Sequence, residues 1–165
     1  MPTIAAPLGI QLGPITSEWY SLLWDWLHEY PDSNMDDYAP RTYEAFIEEM
    51  DRRRTTERII GAAFDGVPAG VMSFVQASPT TGMLHGICFS SRFHATGLPQ
   101  LAFAEFLIYL RGLGIEKISA TYFADNRRIR RFLRRFQFED EGFLTDQTKR
   151  HGKPLSLWLV AHYTR

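Results

Sequence analysis

His85 stands on the apolar run MLHGICFS (residues 83–90). An imidazole titrates near working pH, so a histidine held on a strand can act as a general base. The plainer reading is a strand histidine that only satisfies its ring nitrogens, and the residues alone leave both open. The run passes into the polar turn SRF (91–93), then HATG (94–97), and Pro99 opens a strongly apolar segment. Backbone N–H groups at such a helix start lack intrahelical partners and favour an anion, above all a phosphate or pyrophosphate. Pro99 has no N–H, which leaves the donors of residues 95–98 and 100–101. A second junction follows at Asp125-Asn126, where either residue can cap the next helix and a cap can also meet a ligand. Cys88, the one cysteine, has no His and acidic partner marked out by spacing and reads as a small buried hydrophobe.

These side chains need elements to hold them. The segment PQLAFAEFLIYLRGLG (99–114) is apolar on nearly every side and predicts a buried helix ended by Gly112 and Gly114. EKISATYF (116–123) alternates as a strand does, so strand, crossover helix and parallel strand form one unit. A further helix carries Ile129, Phe132, Leu133 and Phe136 at helical spacing, with six arginines (127, 128, 130, 131, 134, 135) around that stripe. The simplest reading places these arginines on solvated outer faces. A basic run of this kind is also a nucleic-acid pattern, but the acidic remainder of the chain does not extend it and nucleic acid is disfavoured.

Upstream, residues 9–15 predict a first edge strand. Ser17 then opens a helix with Trp19, Leu22, Leu23, Trp26, Leu27 and Tyr30 on one buried face, stopped by Pro31. Three aspartates, Asp32, Asp36 and Asp37, lie in the turn-rich stretch 31–38. They lack the glycine and terminal glutamate of a calcium loop, so no metal is expected. A second helix from about Pro40 buries Tyr43, Phe46, Ile47 and Met50 and leaves Glu44, Glu48, Glu49, Arg52 and Arg53 outside. ERIIGAAF (57–64), Asp65-Gly66 and VPAGVMSFVQ (67–76) predict a hairpin, with Pro68 and Gly70 suggesting a bulge. A last hairpin spans 143–160 and turns at Arg150-His151-Gly152-Lys153.

The chain has 165 residues, the size of one domain (1–165), and a net charge of −1 gives no general pull toward nucleic acid. A single cysteine excludes an internal disulfide and a cysteine-rich zinc site, and suits a reducing compartment. MPTIAAPLGI has neither the positive flank nor the apolar run of a signal peptide. No stretch reaches the roughly 18 apolar residues of a membrane span, so a cytoplasmic protein without a membrane partner is expected.

From Ile87 to Phe138 the order of elements resembles the central motif of the GCN5-related N-acetyltransferase superfamily, and the likeness extends from Ile59 to Val160. That family's pyrophosphate loop reads Gln or Arg, two variable residues, Gly, one variable residue, then Gly or Ala. Here the same positions read His94, Ala95, Thr96, Gly97, Leu98, Pro99; Gly97 matches, whereas His94 and Pro99 depart. The resemblance implies an α/β domain with a mixed, mainly antiparallel sheet, a parallel splayed strand pair and helices on both faces. It implies acetyl-coenzyme A as acyl-donor cosubstrate, bound by residues 94–99 and Asn126, with main-chain donors near Phe89 holding the acetyl group. The acceptor would be an amine, of a small molecule or a peptide, with His85 as the base and Asp32, Asp36 and Asp37 near the acceptor. Arginines near Asn126 would meet the phosphates, with His94 able to donate one further hydrogen bond. Members of the family are often homodimers, an analogy only, since the residues themselves do not set the subunit number. The family's thiolate-protonating Tyr aligns with Leu133 and its frequent Gly with Gln137. These departures support an alternative in which the fold is catalytically idle and serves as a binding or structural module.

Overall fold

The computed structural model describes residues 4–5, 9–30, 40 and 42–164. Strands β1 (Ile4–Ala5), β2 (Ile10–Pro14), β3 (Arg58–Phe64), β4 (Val67–Gln76), β5 (Thr81–Phe89), β6 (Lys117–Phe123), β7 (Glu139–Arg150) and β8 (Lys153–Tyr163) make one sheet. Its order is β1-β2-β3-β4-β5-β6-β8-β7, and every neighbouring pair is antiparallel except β5 with β6. The helices are α1 (Tyr20–His28), α2 (Tyr43–Thr56), α3 (Leu98–Gly112) and α4 (Arg127–Arg135).

Successive residues of a strand point to opposite faces, and here they join different cores. Ile60, Met72 and Phe74 pack with Phe103, Phe106 and Leu110 of α3 and Leu133 of α4. Ile59, with Val71 and Cys88 against it, packs with Tyr20, Leu23 and Trp26 of α1 and Phe46 and Met50 of α2. Helices therefore cover both faces, as the sequence implied. The Asp65-Gly66 turn has φ of 48° and 79°, the positive pair that a two-residue hairpin turn requires. The expected bulge is present: Ala62 pairs with Gly70 and Ala63 with Pro68, leaving Ala69 extra.

Three expectations need correction. Residues 10–14 are not the edge, because β1 pairs outside them. On α1, Leu23 and Trp26 are buried and Trp19 and Leu27 pack against the same cluster as expected, but Leu22 is exposed and Tyr20 is buried in its stead, after a 3-10 turn at Ser17–Trp19. And α3 is not buried all round, since Leu101 and Ile108 face outward. Asp32, Asp36 and Asp37 lie outside the described residues.

Two helices end in the same way with different residues. After α3, Gly114 at φ 84° donates to the Arg111 carbonyl and Ile115 to that of Leu110. After α4, Gln137 at φ 59° donates to Arg134 and Phe138 to Leu133, while the buried Phe138 and Leu133 side chains both join the core. This left-handed position favours glycine, because a Cβ there crowds the following carbonyl. Gln137→Gly is expected to raise stability by about 0.5–1 kcal/mol. An unchanged urea midpoint would show that Gln137 carries no strain.

Candidate active site

The site begins where the parallel pair comes apart. β5 and β6 pair only from Thr81–Leu84 to Lys117–Ala120. His85 is the residue at which β5 bulges: Phe74 pairs with Leu84 and Ser73 with Gly86, so His85 has no partner on β4. A bulge bends the strand and re-aims the side chain at it. Beyond it β6 continues to pair with β8, and its other edge faces a gap.

Register decides which groups face that gap. Ser90 donates its N–H to the Ala69 carbonyl, so the Ser90–Ala69 pair is a hydrogen-bonded one. Pairs alternate along antiparallel strands, which makes Phe89–Gly70 and Ile87–Met72 non-hydrogen-bonded pairs. The main-chain groups of Ile87 and Phe89 therefore turn away from β4 toward the gap. The Phe89 side chain itself is buried over Gly70, where a Cβ would stand 2.2 Å from the ring.

A cleft of about 980 Å³ runs through the splay from one face of the sheet to the other. Its α3/α4 half is lined by Pro99, Gln100, Asn126, Ile129 and Phe132 and by Arg127, Arg128, Arg131 and Arg135. The arginines of α4 are divided by helical phase: those that line the cleft are solvent-exposed, as the simplest reading has them. Residues 127, 131 and 135, with 128 beside them, face the cleft. Arg134 pairs with Asp140 at 2.9 Å on the other flank, and Arg130 lies 4.0 Å from the same carboxylate. Among the described residues no carboxylate pairs with Arg127, Arg128, Arg131 or Arg135, whereas the other two arginines of the cleft, Arg53 and Arg150, pair with Glu57 and Asp125. Asn126 accepts from the Ile129 N–H at 3.1 Å and so caps α4, and it is one of the residues that line the cleft.

At the other helix start, Gly97 caps α3 at φ 78°, and a Cβ built on it would meet nothing within 4 Å. The Leu98 N–H is taken by the Thr96 hydroxyl at 3.2 Å, and Thr96 donates to the Phe93 carbonyl at 2.6 Å. Among the described residues the amides of Ala95, Gly97 and Gln100 donate to no protein acceptor. Leu98 lines a separate small cavity with Ile10 and Ala102, and the N–H groups of Leu98 and Thr96 are both taken within the loop, the latter by the Phe93 carbonyl at 3.1 Å, which corrects the expectation that these two residues donate to the cofactor. His94 lines the cleft, but its donor is committed elsewhere, which corrects the expectation that it serves a phosphate. Its Nε2–H donates to the Phe89 carbonyl at 2.9 Å, and Nδ1 accepts from the Tyr30 hydroxyl at 2.8 Å. Burial, and next the nearby Arg128, push the His94 pKa down, consistent with this neutral ring. The Cys88 thiol is pushed up to about 12 by burial, with a contribution from Glu29, and is no nucleophile at neutral pH.

His85 opens onto the same cleft with a partner the sequence did not reveal. Its Nδ1 lies 2.7 Å from Oε1 of Glu57. Glu57, 4% exposed, also accepts from Arg53 Nε at 3.0 Å and Nη2 at 2.9 Å, and Arg53 Nη2 donates to Ser73 Oγ at 3.1 Å. Arg53 was expected on the outer face of its helix; it turns inward because it is i,i+4 to Glu57 and one helical turn past buried Met50. With Nδ1–H held by the carboxylate, Nε2 of His85 is the free basic nitrogen. Burial works to raise the Glu57 pKa, but hydrogen bonds from His85 and Arg53, together with the Arg53 charge, hold it down from 4.5 to about 2. A folded-state value below the unfolded one stabilises the protein above the unfolded pKa and is lost as pH falls through the folded one. Glu57 should therefore contribute about 2 kcal/mol above pH 4.5, after allowance for solvent screening, lost on descent toward pH 2. Urea midpoints measured across that window should fall for the wild type, whereas Glu57→Gln should start lower and change less. Parallel loss in both proteins would assign the acid transition to another group.

Of the residues singled out in the sequence, His85, Phe89, His94, Pro99 and Asn126 come together on one cleft, whereas Ala95, Thr96, Gly97 and Leu98 are not among the residues that line it; Gly97 caps the helix whose next residues, Pro99 and Gln100, do line it. A coenzyme A thioester fits this arrangement: Gly97 leaves open the space a Cβ would fill, and unpaired amides and arginines offer donors for phosphates. Among the described residues no cluster of His, Cys, Asp or Glu is arranged to hold a metal ion.

A mixed sheet opened at its one parallel pair, with helices on both faces, is an acyltransferase-like architecture. The acetyltransferase (GNAT) family model matches residues 17–138, well over half of the chain, and the chain belongs to that family. Solved structures with the same fold include an acetyl transferase from Salmonella typhimurium that modifies the N-terminal serine of 50S ribosomal subunit protein L7/L12. It has 15% identity and a TM-score of 0.83, covering 99% of this chain and 100% of that one. A ribosomal L7/L12 alpha-N-protein acetyltransferase in complex with coenzyme A has 16% identity, a TM-score of 0.80 and 98% coverage of each chain. An N-acetyltransferase from Staphylococcus aureus Mu50 has 16% identity and a TM-score of 0.76, covering 94% of this chain and 99% of that one. No curated protein sequence matches the chain.

Proposed function

We propose that this protein is an N-acetyltransferase that moves an acetyl group from acetyl-coenzyme A to an amine, with His85 as general base. The observation that carries the reading is the continuous cleft that joins the arginine-lined half to the His85–Glu57 pair through the splay. When bound, the coenzyme A thioester supplies an acyl carbon activated for attack by an amine. Arg127, Arg128, Arg131 and Arg135, with the amides at 95, 97 and 100 and the Asn126 amide, would hold its phosphates. The gap-facing N–H groups of Ile87 and Phe89 would donate to the oxygen on which negative charge develops. Nε2 of His85 would take the proton that the amine loses as its nitrogen bonds to carbon, while Glu57 stabilises the charged imidazole. Leu133 is sealed in the core at 2% exposure and protonates nothing, which leaves the proton held by His85 available for the departing sulfur.

Incubating the protein with radiolabelled acetyl-coenzyme A and a panel of primary amines tests the proposal. Labelled N-acetyl product, formed one for one with free thiol, is the expected result. Failure to label any amine would support a catalytically idle fold.

A further inference from the structure

Resting on the transferase reading, we propose that Tyr30 and His94 are positioning residues, which together hold the Phe89 main chain so that its N–H meets the carbonyl oxygen of the bound thioester. Phe89 stands at the open end of β5, where no ladder bond fixes its main chain. Toward β4 its pair with Gly70 is a non-hydrogen-bonded one, and toward β6 the pairing has already stopped at Leu84. Inside a sheet, ladder bonds set the plane of each peptide. Here that restraint has to come from outside the sheet.

His94 supplies it. Its Nε2 lies 2.9 Å from the Phe89 carbonyl oxygen, which can only accept, so Nε2 carries the proton and Nδ1 is the acceptor of a neutral ring. The Tyr30 hydroxyl lies 2.8 Å from Nδ1 and 3.1 Å from Nε2; with the Nε2 proton committed to Phe89, it donates to Nδ1 and fixes the tautomer. Tyr30 is itself held from two sides. Its neighbour Glu29 accepts the Ser91 N–H at 2.7 Å, which ties the end of α1 to the turn after β5. The Arg128 guanidinium stands over the Tyr30 ring, 5.7 Å from its centre. Arg128 also lines the phosphate half of the cleft, so a cofactor-facing arginine touches the chain of contacts that sets Phe89. A donor aimed beforehand needs no reorganisation as charge builds on the oxygen, and one left free to turn loses that advantage.

The test compares the wild type with His94→Ala, His94→Gln and Tyr30→Phe. Infrared difference spectra of acetyl-coenzyme A, isotope-labelled at the acetyl carbonyl, read the hydrogen bond to that carbonyl in the bound state and need no acceptor. Its stretch should drop on binding to the wild type and to His94→Gln, whose amide can still donate to Phe89, and return toward the free value in His94→Ala. In parallel kcat should fall roughly 10–100-fold in His94→Ala and stay within about threefold of the wild type in His94→Gln. The Kd for acetyl-coenzyme A should stay within about threefold in all of them. Tyr30→Phe keeps the ring beneath Arg128 and should move both readouts the same way by less; it carries the test if His94→Ala does not fold. A His94→Ala protein with the wild-type stretch and rate, or one that loses affinity as steeply as rate, overturns the proposal. So does a His94→Gln protein no better than His94→Ala. The expected stretches in proteins that acetylate no amine would retain the positioning and remove the transferase. Transfer by a wild type whose stretch matches that of every variant would do the reverse.

Discussion

Replacing His85 by alanine is expected to lower kcat for acetyl transfer by roughly 10²–10⁴-fold, the usual contribution of a positioned general base. Affinity for acetyl-coenzyme A should stay within about twofold, because the imidazole lies on the acceptor side of the splay and the phosphate donors lie on α3 and α4. Stability should fall by only part of the Glu57 contribution, because one of the hydrogen bonds that hold its carboxylate ionised is lost. The His85 side chain is 55% exposed, and Glu57 keeps both hydrogen bonds from Arg53 when the imidazole is gone. Steady-state rates with the best amine acceptor, beside a thermal melt and a binding titration, separate these quantities. A variant that binds the thioester normally and transfers at the wild-type rate would remove His85 from the chemistry and leave the amine to lose its proton to solvent.

Gly97→Asp should have the largest effect on the other half of the cleft, weakening coenzyme A binding by roughly 100-fold or more. Two causes act together. The φ of 78° is a left-handed conformation that aspartate adopts at a cost of about 1–2 kcal/mol, and its carboxylate would stand where the loop offers amides to an anion. No protein atom lies within 4 Å of the new Cβ, so the fold should survive. Gly97→Ala separates the causes, because it retains the backbone strain without the charge and should cost about tenfold at most. Equal affinity in Gly97→Asp and the wild type would place the phosphates away from this loop.

What was legible in the sequence was local. Asp65-Gly66 announced its hairpin because a two-residue turn with two positive φ angles admits few residue types. Pro99 after the polar loop and Asn126 before the arginine run marked the two helix starts, since caps and first-turn prolines act through neighbouring backbone groups. The Glu57–His85 pair was hidden for the opposite reason. It joins residues 28 apart, and it depends on the end of α2, on the register of β4 with β5 and on the one-residue bulge that aims His85. An unpaired charge at the mouth of the apolar run ERIIGAAF, with Arg53 four residues before it, was the available signal. The division of the arginines was also half visible. Spacing alone separates 127, 131 and 135 from 130 and 134, but only the docking of Leu133 into the core shows which set faces the cleft. His94 misled because its residue type suits a phosphate, whereas a tertiary contact with Tyr30 and the Phe89 carbonyl had already claimed both ring nitrogens.

The most direct measurement is a calorimetric titration of the purified protein with acetyl-coenzyme A, because it interrogates the cleft before any acceptor is known. Saturable one-to-one binding at micromolar Kd, about 8 kcal/mol, is the expected result, reduced in Gly97→Asp and unchanged in His85→Ala. Absence of saturable binding at millimolar ligand would contradict the central claim, leaving a family member that keeps the splayed sheet and the arginine helix without the thioester they are arranged to receive.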